Sequence, residues 1–222
     1  MRVLVHFPLC PFSRKVRIHL REKDLTFDLF DENPFFEKSV ELLRANPAGQ
    51  VPILVDGEAV IIDSRAICEY LDERYPEDIF LPDLPNERAE CRRLVTWFDQ
   101  KFFAEVTEPL LREQIIKMLA RAGTPEGRYL RVAQENLKAH FTYFNQIVGD
   151  HNWMVGLTLS HADFAAAAQI SVLDYLGVVP WKDYPNVKDW YTRIKSRPSF
   201  RPILRDFLRG RPPNSNYANL DF

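Results

Sequence analysis

Apolar and polar positions change rhythm near residue 85. Before that point, short apolar runs alternate with helical patterns. Val3, Leu4 and Val5 form a run over residues 2–6 that reads as a buried strand, and Pro8 and Pro11 break it. A helical pattern follows over residues 12–23. Leu25, Phe27 and Leu29 then alternate with polar residues, predicting a strand over 25–30 with one buried face. Residues 36–44 read as a short helix. Residues 51–55 and 59–62 read as strands joined by Asp56-Gly57, a dipeptide suited to a tight hairpin. Residues 64–74 read as a helix with Ile67, Tyr70, Leu71 and Arg74 along one face. The order is βαβ-α-ββα.

The stretch Leu81-Pro82-Asp83-Leu84-Pro85 cannot continue a helix and reads as a linker over 81–86. Beyond it the strand signals stop. Helical patterns cover residues 87–122, 125–148, 163–176, 186–196 and 201–208. The predicted class is therefore α/β plus all-α: a mixed domain over 1–80, a helical domain over 87–210 and an extended tail over 211–222. Ser160-His161-Ala162-Asp163 matches a capping box that opens the helix at 163, with Leu159 and Phe164 as its hydrophobic staple.

Composition narrows the function classes. The 222 residues are 46% hydrophobic and 27% charged, with a formal net charge of -2. No overall field drives the chain onto nucleic acid or an anionic bilayer. No stretch approaches the roughly 18 apolar residues of a membrane span, and the short N-terminal run is too brief for a signal peptide. Three cysteines without a C-x-x-C pair predict a reducing, cytoplasmic setting. His6, His140, His151 and His161 lack metal-ligand spacing, so no metal is expected. The basic residues between Arg14 and Lys23 follow helical spacing and read as a solvated face.

Three short segments carry candidate chemistry. Cys10 opens the first helix, where unpaired N–H groups and the helix dipole favour a thiolate; the alternative is an inert, half-buried thiol. Pro52 must lie at the start of its strand. A cis Val51–Pro52 bond would turn the Val51 backbone toward an extended ligand, whereas a trans bond would make an ordinary loop. Asp63-Ser64 starts another helix, either as a carboxylate-binding site or as a simple cap.

Together, Cys10-Pro11-Phe12-Ser13, Asn46-Pro47-x-Gly49-x-Val51-Pro52, Asp63-Ser64 and Ser160-x-x-Asp163 resemble the cytosolic glutathione transferase superfamily, in particular its cysteine-type, omega-like and bacterial members. The resemblance implies a thioredoxin-like N-terminal domain, a homodimer and glutathione as cofactor. It implies that Cys10 forms a mixed disulfide with glutathione, or that Ser13 hydrogen-bonds the glutathione thiolate. It also implies that Val51 pairs its backbone with the cysteinyl part, with Pro52 cis, and that Asp63 and Ser64 hold the γ-glutamyl amine and carboxylate. A small electrophile or disulfide would enter near residues 97–103. The lysine that many members place just before the Val-Pro pair is missing from Ala48-Gly49-Gln50, and Asp63 stands where Glu is commoner.

The ending resembles alphaproteobacterial division proteins of the FzlA type, which share this fold and bind the tubulin homologue FtsZ. That resemblance implies a non-enzymatic regulator contacting FtsZ filaments through Arg205, Arg209, Tyr217, Leu220, Asp221 and Phe222. Arg201, Arg205 and Arg209 repeat every four residues beside the tail, as a partner stripe or a solvated face. The tail itself either docks in a partner groove or packs on its own domain.

Overall fold

In a computed structural model, which describes residues 1–149 and 151–220, the chain forms a four-stranded sheet packed against helices. The strands are β1 (Arg2–His6), β2 (Asp28–Asp31), β3 (Ile53–Asp56) and β4 (Ala59–Ile62), in the order β2-β1-β3-β4. β1 pairs parallel with β2 and antiparallel with β3, and β3–β4 is the expected hairpin. The helices are α1 (Pro11–Glu22), α2 (Val40–Ala45), α3 (Ser64–Arg74), α4 (residues 85–120), α5 (Gly127–Ile147), α6 (His161–Leu176) and α7 (Pro185–Lys195).

One face of the sheet buries Leu4 and Leu54 against Val16 and Leu20 of α1 and Ile67 and Leu71 of α3. Ile18, on the opposite side of α1, joins the larger core made by α4 to α7. α1 is thus covered on both sides. This overturns the solvated basic face expected there, because Arg14, Lys15, Arg17 and Lys23 are all buried. Each charge has an acidic partner distant in sequence, since an unpaired buried charge would be too costly. Arg14 and Arg17 meet Asp206, Lys15 meets Asp99, and Lys23 meets Asp72.

Other departures have local causes. β2 begins later than the alternation implied and lies at the sheet edge, so Leu29 is exposed instead of facing a core. α2 starts only after Ser39, whose hydroxyl accepts from the Leu42 N–H at 3.1 Å. No helix spans 201–208. Pro202 leads into a single 3-10 turn (Ile203–Arg205), and Asp206 turns inward to the α1 arginines. The capping box at α6 forms as expected, and the Asp163 carboxylate also accepts from the Met154 N–H and the Trp190 indole.

The segment after Asp206 is a strap over the helical half. The Leu208 N–H donates to the Tyr175 hydroxyl, which donates to the Arg211 carbonyl, and the Asn214 N–H bonds to the Tyr175 carbonyl. Tyr217, expected among the partner contacts, is fully buried on its own chain, with its hydroxyl on the Ile203 carbonyl at 3.0 Å. A phenol ring left in water would forfeit the burial of a large aromatic surface. Asp221 and Phe222 lie outside the described residues.

Candidate functional site

A cleft of about 700 Å³ lies between the sheet domain and α4. Its floor comes from the loop that ends β1, because Cys10 caps α1 and Pro11 occupies the first helical position, where no N–H is needed. Cys10, Val51, Pro52, Asp63 and Ser64 all line it, so the structure brings together five of the six expected cleft residues. The Cys10 Sγ lies 3.8 Å from the Val51 carbonyl. The Val51–Pro52 bond is cis.

The sixth, Ser13, does not line the cleft. It is buried behind the loop, where its hydroxyl accepts from the Phe7 N–H at 3.4 Å. It supports the thiol loop from beneath. The thiol also differs from the helix-start expectation. Burial pushes the Cys10 thiol up from its ordinary value, and the Ser13 hydroxyl, the Ser13 and Phe12 amides and the Arg14 charge recover only part of that. Dipole and charge thus lose to desolvation at this thiol.

Asp63 caps α3, accepting from the Arg65 and Ala66 N–H groups at 2.8 and 3.2 Å. It does so at φ 71°, a left-handed backbone that costs energy away from glycine. Cap and cleft position coexist at this residue.

Lys38 is the cleft residue that spacing did not reveal. It comes from the loop before α2, ten residues ahead of Ala48, and its ammonium donates to the Ala48 carbonyl at 3.2 Å. Its side chain lies across Gly49, where a Cβ would sit 2.4 Å from it and where φ is +60°. The positive φ favours glycine there, and a larger residue would oblige the Lys38 side chain to shift. The missing lysine just before the Val-Pro pair thus has a counterpart reaching the same loop from elsewhere.

The opposite wall belongs to α4. Its middle runs in wide i→i+5 turns over Trp97–Thr107 and again over Arg112–Ile116. Such turns are rare and frequent at functional sites, because they shift which side chains face inward. Here Asp99, Gln100 and Phe103 face the cleft, while Phe98 and Phe102 are core. Phe12 and Phe103 meet at 4.8 Å between ring centroids and close one end. Asp99 is held by the buried Lys15 ammonium across the two halves.

A second polar cluster joins the halves away from the cleft. Asp72 of α3 meets His19 and Lys23 of α1 and His161 of α6, and accepts from the Phe80 and Leu81 N–H groups. Sequence spacing does not reveal this meeting of His19 and His161, which lie far apart along the chain. The Asp72 oxygens are already taken up by these donors, so the cluster reads as a pin between the halves.

The comparisons with known proteins agree with this geometry. Residues 4–78 match the glutathione S-transferase N-terminal domain, and residues 111–202 match the corresponding C-terminal domain. FtsZ-localized protein A of Caulobacter vibrioides is 45% identical over 225 aligned positions, covering 100% of this chain and 98% of that one. The solved structure described as FzlA from C. crescentus superposes with a TM-score of 0.96 at 45% identity, covering 100% of this chain and 99% of that one. A glutathione S-transferase from Rhodospirillum rubrum F11 does so at 0.96 and 43%, over the whole of both chains. Among the described residues no helix is long and apolar enough to cross a membrane. From domain matches, full-length likeness and cleft alike, the chain belongs to the glutathione S-transferase family.

Proposed function

We propose that this protein is a division factor of the glutathione-transferase fold that binds FtsZ filaments as a homodimer, without needing Cys10 for that task. One observation carries the reading: the likeness to FtsZ-localized protein A runs at 45% through the whole of this chain, strap included. The surface around the strap suits a protein contact. Arg201, Arg205 and Arg209 are exposed although no one helix carries all three, and Phe207 between them is 65% exposed. Leu220 is exposed nearby in sequence, while Tyr217 serves as the internal anchor of the strap. Reversing two charges at once, Arg205→Glu with Arg209→Glu, should leave folding intact and abolish co-sedimentation with polymerised FtsZ. Undiminished pelleting of that variant would move the contact elsewhere.

A second reading is favoured by the cleft itself. Glutathione would lie along Val51 and Pro52, with its γ-glutamyl end at Asp63 and Ser64 and its glycyl carboxylate toward Lys38. Cys10 would attack the disulfide of a glutathionylated substrate, taking the glutathionyl sulfur into a mixed disulfide as the substrate thiolate leaves, and a glutathione thiolate would then free Cys10 with release of glutathione disulfide. Calorimetric titration of glutathione tests this. Saturable binding is expected for wild type and Cys10→Ala alike, with thiol transfer falling to background only in the variant. No heat at millimolar glutathione would remove the common ligand and leave the first reading alone.

A further inference from the structure

Beneath the cleft floor two buried guanidiniums share one carboxylate. Arg14 donates to Asp206 at 3.1 Å, and Arg17 donates to the same carboxylate through both terminal nitrogens at 2.9 Å. Asp206 therefore cancels one of two positive charges. Arg14 has two further side-chain bonds, and they face opposite ways. Its Nε donates to the Pro8 carbonyl at 2.8 Å, in the loop that presents Cys10. Its Nη1 donates to the Ser171 hydroxyl of α6 at 2.9 Å. The Arg14 backbone N–H also bonds to the Cys10 carbonyl at 3.0 Å. The thiol loop thus hangs on Arg14, while Arg14 hangs on the helical half and the strap.

We propose that Arg14 is a positioning residue for Cys10, and that Asp206 on the C-terminal strap sets how much of the Arg14 charge reaches the thiol. This rests on the second reading only as far as Cys10 is the reactive group of the cleft; it does not require glutathione.

Other charges face these groups and stay fixed in the test. On the Cys10 side, Lys38, Asp63 and Arg65 line the cleft from the sheet domain. Glu108 and the Lys15-bound Asp99 line it from α4. On the Arg14 side, the Tyr175 and Tyr217 rings lie 5.8 and 5.9 Å from its guanidinium. Tyr191 of α7 lies behind them, against the Asp174–Lys195 pair. His6 contacts Asp31 at 2.9 Å near Arg17. Arg14 is both bonded to the thiol loop and a charge that pulls the thiol down.

Charge tuning predicts opposite signs for the two partners. Removing the arginine withdraws positive potential from the thiol; removing the aspartate unmasks it. The test is alkylation of Cys10 by iodoacetamide in the full-length protein, followed by peptide mass from pH 7 to 12. In that reaction the thiolate sulfur attacks the methylene carbon and iodide leaves. Arg14→Gln should raise the midpoint by about one pH unit and slow the reaction about tenfold at neutral pH. Asp206→Asn should lower the midpoint and speed the reaction, and Asp206→Glu should restore the wild-type profile. A brace without charge tuning would change the rate in both variants with the midpoint fixed, and that result overturns the proposal. So does an unchanged profile in both. Should Arg14→Gln fail to fold, the direction of the Asp206→Asn midpoint decides alone. A chain that neither binds glutathione nor transfers thiols still yields this profile, so failure of the enzyme reading is a separate result.

Discussion

Tyr217→Ala should lower the melting temperature by roughly 10 °C, an effect too large for a residue of a free tail. The ring is fully buried, edge-on to Tyr175 at 5.2 Å, with the Arg14 and Lys195 cations within 6 Å of its face. Truncating a buried aromatic residue costs about 3–5 kcal/mol through lost transfer energy and the cavity left behind. Here it also strips the aromatic face from two buried cations and frees the Ile203 carbonyl of its donor. Tyr217→Phe keeps the packing and loses one hydrogen bond, a cost of about 1 kcal/mol. Thermal unfolding of both variants checks the ranking. Equal, small shifts would mean that the strap is not anchored as described.

Acidification should unfold the protein between pH 6.5 and 4, well above the usual carboxylate range. Burial pushes the His19 and His6 imidazoles down to about 4, from 6.5 in the unfolded chain. Over that window the unfolded chain binds protons that the folded chain refuses. Stability is therefore whole above pH 6.5 and falls as pH drops toward 4, by up to about 3 kcal/mol for each histidine. Burial lowers His140 in the same sense. Burial opposes ionisation of Asp72, yet hydrogen bonds from His161 and His19 hold its carboxyl well below the usual range, so it stays charged throughout. Asp163 and Asp174, which burial pushes up, offset part of the loss toward its acid end. The contribution of one histidine is isolated by comparing melting temperature against pH for wild type and His19→Gln. The variant should start lower near pH 7.5 and decline less steeply; parallel curves would contradict the assignment.

What could be read from the chain beforehand follows from the range of the forces involved. The two-domain order, the hairpin at Asp56-Gly57 and the capping box at Ser160 depend on residues within a few positions of one another, and these were legible. So was the constellation of Cys10, Val51, Pro52, Asp63 and Ser64, because each begins or ends an element. The basic face of α1 was misread for the opposite reason. Arg14 and Arg17 find their carboxylate at Asp206, some 190 residues later, and helical spacing alone makes a buried charged stripe look solvated. Lys38 was hidden in the same way, since it reaches the Gly49 loop across a turn whose path no periodicity describes. The place of the thiol is legible in the chain, whereas the direction in which its surroundings push it is not. Helix position acts locally, whereas desolvation depends on everything packed around the sulfur.

Co-sedimentation of wild-type protein and Cys10→Ala with GTP-polymerised FtsZ tests the central claim most directly. Both should pellet with the filaments to the same extent, and neither should pellet when FtsZ is left unpolymerised. Wild-type protein that stays in the supernatant, or pelleting lost with the thiol, would contradict it.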